Sequence, residues 1–514
     1  MSRQTAHYVI VPDDNVFNDG METTSFSLFR AMHLRLFRTG GARIARSLPD
    51  GAGHGTAPTT RPPGRLLETE VGRIRLIDSI GLNEASLVAM RPQQARELQR
   101  AYPGLRVRPE LRLYPLRFGR HDIIRKQARP AAFRSDKVLE LRCVDAETGR
   151  PVAGASVVVV LDSRRGFGIS DVVTDADGMF RTPLPAGQDV IDAVICQSLA
   201  GHWPAAVRDV AVRPDGTTDL TLRLVPLGDG FRDSIDLMLA PPQAGDGQGV
   251  RVAVVDTGVD PAQGLRIDRG LNTTGTEPAD EWFDNGTGHG THVADIVARV
   301  APDALLHSYR VFEKGDGGAS EFAIARAIRQ AVDDGCDIVN LSLGQSAEPV
   351  AISREVRRAR ARGVVCIAAT GNDYMSPVSY PARSGTVIAV SAGGALGGWP
   401  EGSATEMNVA DDPAPRDGRF FARFSNIGPE VDFIGPGVGI ISWVNRTSKG
   451  VMDGTSMACP AVAGLFARLL SRDATILSAE RNQQRSDDII RMANSHATPI
   501  GFGTTYEGAG VIGG

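Results

Sequence analysis

From Val250 onward the sequence alternates two textures. Short runs are apolar at nearly every position (VRVAVVD, CDIVNLSL, GVVCIAAT, TVIAVSA), and between them lie stretches of helical period such as EFAIARAIRQAVDDG. A strand that is apolar throughout must be covered on both faces, because successive side chains point to opposite sides of the sheet. Amphipathic helices supply that cover. The pattern predicts an α/β domain built on a doubly wound parallel sheet. In such sheets the working groups collect at the carboxyl ends of the strands, and Asp256, Ser342 and Asn372 stand at or just after those ends.

The preceding half of the 514-residue chain reads differently. Residues 1–134 are Arg-rich and mixed, interrupted by the Gly-, Pro- and Thr-rich stretch Pro49–Gly64, which predicts an exposed loop. Residues 135–227 carry short β-type runs (VLELRCV, ASVVVVLD, TDLTLRLV) parted by turn signals such as DAETGRP and TDADG. That spacing predicts a small all-β sandwich of Ig-like type. TGRPVAGASV and TDADGMFRTPLP resemble sandwich modules found beside many bacterial enzymes, which implies a spacer or docking module without chemistry of its own. Residues 228–514 make the α/β domain, entered through a Gly/Asp/Pro-rich connection.

A net charge of -4 and a pI near 6.2 give no electrostatic ground for a nucleic-acid or anionic-membrane partner. No apolar run approaches the roughly 20 residues of a membrane span. The start, MSRQTAHYVIVPDDNVFNDG, lacks the basic and apolar regions of a signal peptide. The expectation is a cytoplasmic protein, with unconventional secretion as the open alternative. Five cysteines, an odd number scattered along the chain, make no disulfide framework. Cys143 and Cys196 both fall in the sandwich, but a reduced compartment argues against a bridge between them.

Four stretches could carry chemistry. In RVAVVDTGVD, Asp256 follows an apolar strand, where a carboxylate is costly to bury without a donor. It is either a turn residue or an acid that orients an imidazole. In GHGTHVADIVARVAP, His289 opens a helix, and a helix N-terminus disfavours the imidazolium, which suits a base that starts neutral. A zinc site is not expected, because HGTH lacks the Glu and the i,i+4 spacing of HExxH and no third ligand follows. In DGTSMACPAVAGLFARLL, Ser456 opens a helix whose first N–H groups could receive an oxyanion. In IAATGND, the Asn372 amide could be a second oxyanion donor.

Taken in the order Asp256, His289, Ser456, these residues follow the subtilisin order of a Ser-His-Asp triad. With VAVVDTGVD, GHGTHVA, VNLSLG, AATGN, FSNIGPEVDFIGPGVGI and GTSMACPAVAG, residues 250–514 resemble a subtilase, a subtilisin-like serine endopeptidase. The resemblance implies Ser456 as nucleophile, His289 as general base and then acid, Asp256 as its orienting partner, and Asn372 with the Ser456 N–H as oxyanion hole. It implies Ser342, Leu343 and Gly344 as a substrate-pairing edge and one wall of the S1 pocket. Ala368, Ala369, Thr370 and Gly371 would be the opposite wall, with Ser379 near its base, and Gly317, Gly318 and Ala319 the second pairing edge. Peptide laid between two edges is strand addition, and mostly apolar walls favour an apolar P1 side chain.

Residues of about 68–116, including ASLVAMRPQQARELQRAYPGLRVRPELRLYPL, resemble the inhibitor-like prodomain of subtilases. That resemblance implies an α+β unit whose tail occupies the cleft until cleavage, making the chain's own N-terminal region an intramolecular inhibitor. Because the sandwich intervenes, the cut is expected in 117–135 or in 228–248. His292 is expected to be structural. Asp295 stands where most relatives have glycine and has no explanation in the sequence. DIVARVAP runs directly into the next strand, leaving no loop for the calcium ligands many subtilases carry there, and ADDPAPRDGRFFA reads as an inserted surface loop. No metal or cofactor is expected. The leading expectation is a self-restrained serine endopeptidase acting on protein or peptide. The alternatives are a peptide-binding pseudoprotease or regulatory scaffold using the same cleft, and metal-dependent hydrolysis, which the missing ligands disfavour.

Overall fold

The computed structural model describes residues 5–12, 65–69, 71–80, 85–102, 104–117, 126–133 and 135–513 apart from 215, 229 and 316. Pro49–Gly64 lies outside them. The N-terminal unit is an antiparallel sheet of β1 (Ala6–Pro12), β2 (Arg65–Thr69), β3 (Gly72–Ser79), β4 (Ser86–Met90) and β5 (Leu105–Pro109), in the order β2-β3-β4-β1-β5. Helix α1 (Pro92–Ala101) starts with proline at a position where no intrahelical N–H is needed. Alternation decides what each face of the sheet covers. Tyr8, Ile10, Val88 and Met90 pack with Ala95 and Leu98 of α1, whereas Val9, Val11 and Leu87 pack against the α/β domain. The sequence placed this unit at about 68–116, yet one of its interior strands, between β4 and β5, is Ala6–Pro12. A local pattern does not reveal a partner so distant along the chain.

After Glu110 the chain continues as β6 (Arg112–Pro115). The sandwich follows, made of β7 (Lys126–Gln127), β8 (Val138–Asp145), β9 (Ser156–Asp162), β10 (Phe167–Val173), β11 (Met179–Pro183), β12 (Val190–Gln197), β13 (Ala205–Ala211) and β14 (Thr217–Leu224). Its sheets have the orders β13-β12-β9-β10-β7 and β11-β8-β14. The uninterrupted VVVV of β9 is buried on both sides. Val157 and Val159 face the sandwich core, while Val158 and Val160, with Ile195, cover Ala404 of the α/β domain. Main-chain bonds from Ala206 N to Gly402 O (3.1 Å), Ala404 N to Pro204 O (2.8 Å) and Gly201 N to Lys449 O (2.8 Å) secure this contact. The module is docked on the α/β domain along one sheet face.

The α/β domain comprises β15 (Arg251–Asp256), β16 (Ile267–Asn272), α2 (His289–Val300), β17 (Leu305–Arg310), β18 (Ala319–Ser320), α3 (Glu321–Asp333), β19 (Ile338–Leu341), β20 (Leu343–Gly344), α4 (Val350–Ala361), β21 (Val365–Ala369), β22 (Ile388–Ala395), β23 (Arg419–Phe421), β24 (Val431–Pro436), β25 (Ile440–Trp443), β26 (Lys449–Met452) and α5 (Thr455–Arg472). The main sheet has the order β16-β17-β15-β19-β21-β22-β23, with β24 also on β22, and is parallel except at β23. Val252 and Val254 of β15 pack with α2 and α5 on one face; Ala253 and Val255 pack with α3 and α4 on the other. The inserted stretch is a loop over 411–418, exposed except at Pro413, but its RFF forms the antiparallel edge strand β23. Only four residues separate α2 from β17.

Helices α2 and α5 approach closely where Gly464 meets Val300. A Cβ on Gly464 would lie 2.7 Å from Val300 Cβ. Gly464→Val is expected to cost about 1–3 kcal/mol through overpacking, read as a lower denaturant midpoint. It should also reduce activity, because α2 and α5 begin at His289 and Ser456; unchanged unfolding would contradict this packing argument.

Candidate active site

Asp256 ends β15 fully buried, and its Oδ1 accepts from Thr257 N (2.7 Å) and lies 2.6 Å from His289 Nδ1. With Nδ1 protonated toward Asp256, the lone pair of the imidazole is on Nε2, which has no hydrogen-bond partner among the described residues. His289 is the first residue of α2. It follows Gly288, whose φ of 73° and whose approach to Val444 (a Cβ would sit 2.5 Å from that carbonyl oxygen) both require glycine. The loop before it is pinned by Asp284, which accepts from the N–H groups of Gly286 and Gly288 (2.8 Å each) and from the Thr257 hydroxyl (2.8 Å). Burial pushes the Asp284 carboxyl above its ordinary range.

Ser456 lies in the first turn of α5. Its Oγ donates to Ser342 O (2.9 Å), and the Ser342 hydroxyl donates in return to Ser456 O (2.9 Å). Asn372 accepts through Oδ1 from Thr455 N (3.0 Å) and Thr455 Oγ1 (2.9 Å), which turns its NH₂ outward. That NH₂ (2.5 Å) and Ser456 N (3.1 Å) both donate to one oxygen, the carbonyl of Leu116.

Leu116 arrives at the end of β6, which lies antiparallel between β18 and β20. Leu113 pairs with Ala319, Tyr114 with Gly344, and Pro115 with Leu343. Leu116 N donates to Ser342 O (3.1 Å). Gly317 and Gly318 lie under Tyr114, and Arg112 Nη1 donates to Gly318 O (2.9 Å). A Cβ on Gly344 would come 2.9 Å from Leu116 Cδ1 and 3.5 Å from Ser379 Cβ, so the leucine side chain occupies the space between these walls. The Ser379 hydroxyl is taken up by Asn426 Nδ2 (3.4 Å) beside Gly371. One wall residue needs correction. Ala369 belongs to the cluster that Leu116 packs against, but Ala368 belongs to the opposite cluster with α3 and α4, behind the cleft. Adjacent strand residues face opposite sides. Thr370 and Gly371 continue the strand to Asn372, with Thr370 N bonded to Val390 O (3.1 Å).

His292 is fully buried with Nε2 against Ile440 O (3.1 Å); desolvation, then the neighbouring His289, depress its pKa to about 3. Asp295 now has partners. Its Oδ2 accepts from Trp443 N (3.2 Å), and Ser442 and Arg299 lie alongside. Burial raises its pKa, and its charge is turned to the β25 backbone. Thr257, Asp284 and Asn426 were not singled out in the sequence, since polar loop residues look alike until the loop is folded. Among the described residues no group of three or more His, Cys, Asp or Glu side chains is placed to hold a metal ion.

The description "Subtilase family" matches residues 247–502. Subtilisin BL of Lederbergia lenta is 33% identical over 276 residues, which is 52% of this chain and 89% of that protein. The chain belongs to the subtilase family. The thermostable alkaline protease of Halalkalibacterium halodurans is 32% identical over 52% of this subtilase and 66% of its own length. A crystal structure of a lanthipeptide protease aligns with a TM-score of 0.42 at 21% identity, covering 52% of this chain and 86% of that one. The description "Carboxypeptidase regulatory-like domain" matches residues 139–225 of the subtilase, within the sandwich. The subtilase match and the subtilisin relatives make it a serine endopeptidase by class.

The buried His292 of this subtilase carries a pH prediction. Its folded pKa is depressed, so below about 6.5 the unfolded chain binds a proton that the fold excludes. Stability should therefore fall as pH drops from about 6.5 toward about 3, by at most ~1.4 kcal/mol per pH unit from this group. In urea unfolding at pH 7, 6 and 5, His292→Gln should show a flatter pH dependence than the parent; parallel slopes would exclude the assignment.

Proposed function

We propose that the protein hydrolyses peptide bonds through an acyl-enzyme on Ser456 and that its own N-terminal unit restrains it until the Leu116–Arg117 bond is cut. The observation that carries this reading is the Leu116 carbonyl oxygen, held by both Asn372 Nδ2 and Ser456 N. Those two donors stand where charge develops as a carbonyl becomes tetrahedral. Ser456 Oγ turns from Ser342 O toward His289 Nε2, gives up its proton there and attacks the carbonyl carbon. Asp256 holds the imidazole in the right tautomer and stabilises the imidazolium. His289 then returns the proton to the leaving amine and later activates the water that releases the acyl group.

Restraint is supported by a continuous set of contacts outside the scissile bond. Asp78 pairs with Arg326 of α3, and Glu110 accepts from Ser320 Oγ at the start of that helix. Glu321, fully buried, accepts from Leu111 N (3.3 Å) and Ala351 N (2.7 Å), with burial raising its pKa to about 7. A cut at Leu116 leaves the sandwich joined to the protease, since β7 begins only at Lys126. This favours the first of the two expected cleavage regions and bears on the space between the cleft walls, which holds a leucine.

The parent chain is expected to yield a fragment beginning at Arg117, read by N-terminal sequencing or intact mass, while Ser456→Ala stays whole. Asn372→Ala should slow the cut by about 10²–10³-fold, the magnitude for one oxyanion donor, a value that comes from a subtilisin itself. An intact parent chain that also resists fluorophosphonate labelling would favour the peptide-binding scaffold instead.

A further inference from the structure

Cys143 and Cys196 are distant from the cleft and have no part in the proposed chemistry. Cys143 lies on β8 and Cys196 on β12, strands of the two opposed sheets of the sandwich. Both side chains point into the same core and both are fully buried. Register fixes where they sit: Cys143 is opposite Leu222 on β14, and Cys196 is opposite Val157 on β9 and Ala205 on β13. Their sulfur atoms are in direct contact, 2.7 Å apart, although the residues are 53 positions apart in sequence. Contact with Cys143, and then burial, push the Cys196 thiol well above its ordinary pKa, so it is not suited to act as a nucleophile in the folded state.

The other three cysteines behave differently. Cys336 faces His307 Nδ1 (3.4 Å), Cys459 faces Ile367 O (3.4 Å), and Cys366 is enclosed in the cluster beneath the main sheet. A single pair of the five therefore meets.

We propose that Cys143 and Cys196 are a disulfide site that staples the two sheets of the sandwich together. Each thiol loses its hydrogen, one Sγ–Sγ bond forms, and two electrons with two protons pass to a low-molecular-weight disulfide such as oxidised glutathione, which is cleaved to two thiols. Because the pair is enclosed once the sheets have closed, bonding accompanies folding of the module. The sandwich is the surface on which the protease domain rests Ala404 and Lys449, so a cross-link between its sheets also stiffens that docking face. The proposal places folding of this chain in an oxidising setting, against the cytoplasmic expectation drawn from its first residues.

The test uses the full chain carrying Ser456→Ala, to prevent self-cleavage, secreted into a bacterial periplasm. After denaturation without reductant, alkylation should reach three of the five cysteines, with Cys143 and Cys196 recovered in one cross-linked peptide. Five alkylated cysteines, or either residue joined to Cys336, Cys366 or Cys459, would overturn the proposal. A second measurement compares melting with and without reductant in the same chain and in one that also carries Cys143→Ala and Cys196→Ala. Reduction should lower the melting temperature of the first by on the order of 10 °C, as closure of a loop of this size implies for a small domain, and leave the second unmoved. Equal responses in the two chains would count against a stabilising bridge at this site.

Discussion

The fully buried carboxylate of Asp256 sets terms for much of the α/β domain. A carboxylate at the end of an apolar strand needs donors, and it receives them from Thr257 N and His289 Nδ1. That requirement fixes where α2 begins and so where the imidazole faces. The close crossing of α2 over α5 at Val300 and Gly464 then fixes Ser456 relative to it. Asp284, Gly288 and Thr257 shape the intervening loop with backbone bonds, so the imidazole is oriented by main chain as well as by Asp256. A site assembled from strand ends and helix starts is held by the rigid part of the fold.

The same geometry explains why the N-terminal unit is a good occupant of the cleft. Strands β18 and β20 each leave an edge of main-chain donors and acceptors, and β6 satisfies both at once. Side-chain complementarity adds to this: Leu113 enters the interior with Ala319, while Leu116 fills the space beside Gly344. Val9, Val11 and Leu87 on the far face of the sheet extend the contact over α3 and α4. The tail is thereby held in register by a folded unit, which lowers the entropy of ordering it in the cleft.

The sandwich is tied to hairpin β25–β26 through Gly201 N and Lys449 O, and the hairpin is tied to α2 through Asp295 and His292. Asp295 is therefore part of the fastening between α2 and the segment that leads directly into Gly454, Thr455 and Ser456. A glycine there could not accept from Trp443 N.

The sequence alone determined the parallel sheet, showed three regions of different texture, and singled out Asp256, His289, Ser456 and Asn372 as candidates. Those features are written in local periodicity and in short motifs, which act within a few residues. Tertiary structure decided the rest. It made Ala6–Pro12 an interior strand, put Ala368 behind the cleft while Ala369 faces the Leu116 side, and gave Asp295 its partner. It also brought Cys143 against Cys196 and set the Leu116 carbonyl between Asn372 Nδ2 and Ser456 N. Each of these depends on pairing or burial between segments far apart in sequence, and no local pattern encodes how distant strands and helices meet.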